Sequence, residues 1–241
     1  MQVIVTKDYD EMSRKAAEIL LSVVKSKENP VLCLATGSTP IGTYDIMVED
    51  HVKNGTDYSK VVTYNLDEYV GLPITHKESY YAFMHRNLFD RVGIKEENVH
   101  LPNGLAEDLD KGCVEYEAML KSVSVDVQLL GIGSNGHIGF NEPGTSADSE
   151  THVVNLTANT IKDNSRFFIP LGEKTPTQAV SMGLASIMRS KKIVLVASGA
   201  NKADAVYRMV NEPVNDDCPA TILRNHPDVT VIVDAEAGAK L

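Results

Sequence analysis

Gly131, Gly133 and Gly136 follow an apolar run and spell G-x-G-x-x-G, and His137 and Glu142 come directly after them in LLGIGSNGHIGFNEPGT, residues 129–145. Glycines at that spacing can cradle a dinucleotide pyrophosphate if a helix opens at the third one. HIGFNEPG follows instead, and Gly139, Pro143 and Gly144 oppose a long helix. The pattern also falls late in the chain, outside a first strand–helix–strand unit, so a nicotinamide or flavin site is disfavoured. The other reading is an active-site loop whose glycines let the backbone pass close to a small ligand. His137 is then either a structural histidine or a group that titrates near neutrality, with Glu142 able to orient it or share its proton.

Three further stretches carry usable chemistry. TGSTP (36–40) offers Gly37, the Ser38 and Thr39 hydroxyls and exposed amides just before a helix. It reads either as a phosphate site or as an ordinary capping turn. It is not a Walker loop, because no G-K-[ST] follows. NLDEY (65–69) puts Asp67 and Glu68 after an apolar strand, either with one of them facing a cleft or as a capping or solvated acidic pair. SGANKA (198–203) sets Lys202 at a helix start, where it opposes the macrodipole unless it meets an anion. His76, His85, His100, His152 and His226 are dispersed, no HxH or HExxH occurs, and no metal is expected.

These groups need a frame. Strands are predicted at 3–5, 31–35, 61–65, 125–133, 192–198 and 229–234, with an extra one at 151–156. Helices are predicted at 8–27, from 41 to about 53, and at 78–91, 106–122, 175–189 and 201–211. Apolar strands alternating with amphipathic helices imply one α/β domain over 1–241, a mostly parallel, modified Rossmann-like sheet with helices on both faces. Ligands of such sheets bind outside the carboxyl ends of the strands, where all four stretches fall.

Composition sets outer bounds. With 241 residues the chain can bury a sizeable core, and its formal net charge of −10, with no basic stripe, argues against nucleic acid. No window approaches the roughly 18 uninterrupted apolar residues of a membrane span. No signal peptide is recognised, and three scattered cysteines suit a reducing cytoplasm.

TGSTPIGTY, NLDEYVGL, GIGSNGHIGFNEPGT, NSRFF and SGANKA also occur in the order and spacing of the glucosamine-6-phosphate deaminases, a resemblance that covers nearly the whole chain. It implies conversion of D-glucosamine 6-phosphate and water to D-fructose 6-phosphate and ammonia, without metal or cofactor. It implies Asp67 as the base that moves a proton from C2 to C1, and His137 as the group that opens the sugar ring. Asn135 and Glu142 would support His137, and Arg166, Lys202 and Gly37–Thr39 would clamp the phosphate. Asn135 departs from the many members that carry aspartate there, so Glu142 would take more of the imidazolium charge. A 6-phosphogluconolactonase would need no C2 base, and a sugar-phosphate sensor would leave Asp67, His137 and Glu142 idle; ammonia release from glucosamine 6-phosphate separates the three.

Some members are hexamers activated by N-acetylglucosamine 6-phosphate through basic residues after the NEP turn. The matching positions here are His152 and Val154, and Val154 offers no charge to a phosphate. The chain is expected to be a monomer with hyperbolic saturation that the acetylated sugar phosphate leaves unchanged. Sigmoidal curves that it converts to hyperbolic ones would reveal an effector site.

Overall fold

The computed structural model describes residues 1–241. Its strands are β1 (Gln2–Val5), β2 (Val31–Leu34), β3 (Val62–Asn65), β4 (Asp67–Tyr69), β5 (Val99–His100), β6 (Val127–Leu130), β7 (His152–Asn155), β8 (Gln178–Ser181), β9 (Ile193–Ala197) and β10 (Val229–Val233). The helices are α1 (Tyr9–Ser26), α2 (Ile41–Asn54), α3 (Tyr80–Met84), α4 (Asp90–Val92), α5 (Leu109–Ser122), α6 (Ala158–Phe168), α7 (Leu184–Met188) and α8 (Ala203–Asn211).

Seven strands form one sheet in the order β1-β10-β9-β6-β2-β3-β5, and its strand pairs are parallel. Every residue of β6, β9 and β10 is buried. Successive side chains of a strand point to opposite faces, so both faces of the sheet are covered. α1 shows how a helix is fitted to this frame. Met12, Ala16, Leu20 and Val24 recur every four residues and are buried, and the Asp8 carboxylate caps the first turn by accepting from the Glu11 amide.

β4, β8 and β7 make a second, antiparallel sheet of three strands. It corrects two expectations. Asp67 and Glu68 lie on a strand and not in a loop. Residues 175–189 are not one helix: β8 occupies Gln178–Ser181, and only Leu184–Met188 is helical. A four-residue stretch such as QAVS is too short to favour either period, and here β8 finds a hydrogen-bonding strand on each side. Gly183 separates the two pieces in an extended conformation. α6 and β5 fall where no element is predicted. The helix expected at 78–91 breaks into α3, a π-turn at His85–Phe89 and α4.

Gly183 also marks a close approach of main chains. A Cβ there would stand 2.1 Å from the Ser149 carbonyl oxygen, and backbone cannot give way as a flexible side chain can. Gly183→Ala is expected to destabilise the fold by about 1–3 kcal/mol, read as a lower denaturation midpoint. An unchanged midpoint would mean that residues 149–150 shift freely.

Candidate active site

The chain leaves the large sheet at Leu66. Its amide donates to the Leu34 carbonyl at 3.3 Å, extending the parallel ladder, while its own carbonyl accepts from the Met182 amide at 2.7 Å. Asp67, the next residue, pairs with Ser181 in the small sheet. It therefore sits in the fork between the two sheets, at the carboxyl end of β3.

The two neighbouring carboxylates have separate fates. Glu68 accepts from the amides of Tyr69, Tyr80 and Tyr81 at 2.9–3.0 Å, and so caps α3. Burial raises its pKa, and those three bonds work against the rise. Asp67 is only 7% exposed and receives no hydrogen bond. Burial, and then the adjacent Glu68 charge, push its pKa up to about 8. The capping reading of this pair describes Glu68, while Asp67 is buried and neither caps a helix nor is solvated.

The glycine-rich loop is fastened to the same fork. The Phe140 amide donates to Ser181 Oγ at 3.1 Å. Asn141 Nδ2 donates to the carbonyls of Ile138 and Met182, both at 2.8 Å. A Cβ on Gly139 would lie 3.8 Å from Asp67 Oδ2, which puts this loop against the carboxylate. No helix opens after Gly136, so the dinucleotide reading fails on context. The glycines answer to other needs. The His137 ring lies on Gly133, where an added Cβ would come within 2.2–2.5 Å of its atoms, and Gly136 is pressed onto Cys218 with φ +88°.

His137, Asn135 and Glu142 form a hydrogen-bonded chain. His137 Nδ1 and Asn135 Oδ1 are 2.7 Å apart, and Asn135 Nδ2 donates to Glu142 Oε2 at 2.7 Å. A carboxylate only accepts, so the amide nitrogen of Asn135 must face Glu142 and its oxygen must face the imidazole. That oxygen also accepts from the His137 amide at 3.3 Å. Nδ1 therefore carries a proton, so of the two neutral tautomers this contact selects the one with its lone pair on Nε2. Glu142 Oε2 lies 3.5 Å from Nδ1, and the carboxylate is 8% exposed. Its other oxygen accepts from the hydroxyls of Thr157 and Thr160. Burial alone would raise the Glu142 pKa; the hydrogen bonds, led by His137 and Thr160, outweigh it and bring it down to about 2. Thr157 and Thr160 escaped the sequence reading. The only signal for them is a capping threonine ahead of α6, and its partner there is the Thr160 amide.

The predicted phosphate ligands come from three places. Gly37, in a left-handed conformation at φ +94°, Ser38 and Thr39 precede α2, whose first turn has no side-chain cap. Lys202 lies past β9 in a short 3-10 turn, and Arg166 is in the last turn of α6, its guanidinium 4.7 Å above the Phe167 ring. Burial lowers the Lys202 pKa; Asp163 opposes this and Arg166 adds to it, so Lys202 and Arg166 feel each other. Neither cation has an ion-pair partner, unlike Arg189, which meets Glu117 and Glu150. The Asp234 carboxylate steadies the Lys202 loop, accepting from Ser198 Oγ and the Gly199 amide. The structure thus brings Asn135, His137 and Glu142 into direct contact, sets their loop against Asp67 and places Arg166 near Lys202. Gly37–Thr39 follow the carboxyl end of β2, which is separated from β9 by β6.

Residues 7–232 match the model of the family described as glucosamine-6-phosphate isomerases/6-phosphogluconolactonase. A glucosamine-6-phosphate deaminase of Thermoanaerobacter pseudethanolicus is 52% identical over 240 residues, covering 99% of this chain and 94% of its own. One from Clostridioides difficile is also 52% identical, over 242 residues covering 100% and 97%. Among solved structures, a monomeric glucosamine-6-phosphate deaminase superposes with a TM-score of 0.97 at 42% identity, covering 100% of both chains. The 6-phosphogluconolactonase of Trypanosoma brucei shares the fold, with a TM-score of 0.82 at 20% identity over 100% of this chain and 98% of its own. The chain belongs to the glucosamine-6-phosphate isomerase/6-phosphogluconolactonase family, and within it stands with the glucosamine-6-phosphate deaminases.

Proposed function

We propose that this enzyme converts D-glucosamine 6-phosphate and water to D-fructose 6-phosphate and ammonia. The observation that carries the reading is Asp67, buried and free of hydrogen bonds beside the His137–Asn135–Glu142 chain. A lactone hydrolase has no use for a base so placed.

The phosphate is a handle. Arg166, Lys202 and the turn at Gly37–Thr39 hold it, spending remote binding energy on orientation. His137 Nε2 takes the proton from O1 and delivers one to O5, which opens the ring. The cation formed on the imidazole in between is shared through Asn135 with Glu142, a carboxylate that stays ionised at working pH. The open form carries an aldehyde at C1, which acidifies the hydrogen on C2. Asp67 removes that proton while O1 gains a proton and the C2 ammonium gives one up, forming an enolamine; Asp67 then returns its proton to C1, leaving a protonated imine at C2. Water adds to the imine carbon and ammonia departs, giving the ketose. A carboxylate made more basic by burial suits the C–H step, and the substrate's ammonium favours its ionised form. The reading extends to a monomer working in the cytoplasm on a small sugar phosphate; the monomeric relative and the three free cysteines support it. His152, whose ring bonds the Glu150 carbonyl, and Val154, packed in the core of the small sheet, give an effector phosphate little to bind.

Asp67→Asn is expected to abolish ammonia release while leaving substrate binding largely intact, and to stop solvent deuterium entering substrate or product. Near-normal turnover by this variant would remove Asp67 from the role of base. The same substitution bears on stability. The folded pKa of Asp67 lies above the ordinary carboxylate value, so from about pH 4 the unfolded chain releases this proton while the folded one keeps it up to about pH 8. Stability due to this group therefore falls as pH rises through that window. Asp67→Asn should raise the melting temperature at pH 8 and change it least at pH 4; a variant no more stable than the parent at pH 8 would contradict the burial argument.

Arg166→Ala and Lys202→Ala should each cost about 1.5–3 kcal/mol of transition-state binding to the phosphorylated substrate. Both should discriminate less between glucosamine 6-phosphate and glucosamine. Unchanged discrimination in both would dismiss the clamp.

A further inference from the structure

α6 touches both halves of the site. Thr157 caps the helix by accepting from the Thr160 amide at 3.3 Å, and the same hydroxyl donates to Glu142 Oε1 at 3.2 Å. The Thr160 hydroxyl reaches the same oxygen. Six residues on, in the last turn of α6, stands Arg166, the cation that faces Lys202. Ile161 and, just past Arg166, Phe168 belong to one apolar cluster with Tyr69, Phe140 and Ala179, so the helix body rests on β4, β8 and the Gly139–Asn141 segment. Any movement of α6 that brings Arg166 toward or away from an anion must also carry the two threonine hydroxyls along Glu142, because a helix moves as a rigid rod.

We infer that Thr160, assisted by Thr157, is a positioning residue through which α6 links capture of the substrate's phosphate to the alignment of Glu142 and, through Asn135, of His137. This rests on the reading of the site given above. Both oxygens of Glu142 are held, one by Asn135 on the glycine-rich loop and one by α6. The carboxylate is therefore the joint between a fixed loop and the helix that carries the phosphate cation. When Arg166 engages the phosphate, the helix is fixed, the threonines fix Glu142, and the imidazole is turned for ring opening. Without that engagement the joint is looser, and the amide of Asn135 is left to orient the ring.

The test is a double-mutant cycle on glucosamine 6-phosphate. Thr160→Val keeps the shape of the side chain and removes the hydroxyl; Arg166→Lys keeps the charge and shortens the reach. Thr160→Val should lower kcat by roughly tenfold to a hundredfold, with KM changed far less, and Thr160→Ser should restore most of the loss. The two sites are about 9 Å apart along the helix and share no partner, a separation at which independent effects multiply. The inference requires that Thr160→Val cost distinctly less kcat/KM in the Arg166→Lys background than in the parent. A purely structural threonine would lower thermal stability and kcat/KM by the same factor in both backgrounds, and that outcome overturns the coupling. Wild-type kcat in Thr160→Val overturns the positioning role as well. If Thr160→Val does not fold, the cycle is run with Thr157→Val, which removes the other hydroxyl on Glu142 Oε1 and whose change in kcat/KM must still depend on the residue at 166. A parent enzyme that releases no ammonia from glucosamine 6-phosphate would be a failure of the proposed function itself, and so is distinct from either result.

Discussion

Leu66 gives its amide hydrogen to the parallel sheet and its carbonyl to the antiparallel one. A single residue thereby belongs to two ladders, and the side chain that follows is forced into the wedge between them. This explains how a carboxylate comes to be buried without partners. Asp67 is buried in the fork where the two sheets diverge. The wall opposite is built from backbone, as Asn141 and Ser181 bind the loop of His137 to the same edge. Asp67 and the loop that carries His137 are thus held to one edge by short side chains bonded to main-chain groups, and not by long flexible ones.

The second constraint is the chain from His137 through Asn135 to Glu142. An amide in the middle position has a direction, since one end only accepts and the other only donates. That direction selects the tautomer of the ring before any substrate arrives. A carboxylate in that position could accept from the ring at either oxygen, and would put the negative charge next to the imidazole. Here the charge sits one residue further out, with Glu142 Oε2 still 3.5 Å from Nδ1, close enough to steady the imidazolium through space.

Much of this frame is legible in the residues alone. IVLVA is apolar throughout, and VQLL and VTVIV carry one polar residue each, because both faces of the large sheet are covered, and such nearly continuous runs report that directly. The small sheet is hidden for the opposite reason. QAVS and DEY are too short to show a period, and each is a strand only because the other is its neighbour. The same limit applies at the site. His137, Asn135 and Glu142 are close in sequence, so one motif contains them. Thr157 and Thr160 stand 15 and 18 positions beyond Glu142 and reach it only after the chain has made β7 and turned into α6. Which of Asp67 and Glu68 would face the cleft is likewise decided by the register with β8, information that lies more than a hundred residues away along the chain.

Glu68 touches no part of the cleft, yet its charge is one of the two causes of the basicity of Asp67. Its three amide bonds keep it anchored at the head of α3 whatever the chemistry next door requires. A glutamine here would lower the basicity of Asp67 but could accept these amides with one oxygen only, its amide nitrogen facing the Tyr81 N–H, so the cap would be weakened as well. The acidity profile of the enzyme is therefore set partly by a scaffold position. Lineages that live at different pH have a means of retuning the reaction without altering any atom that meets the sugar.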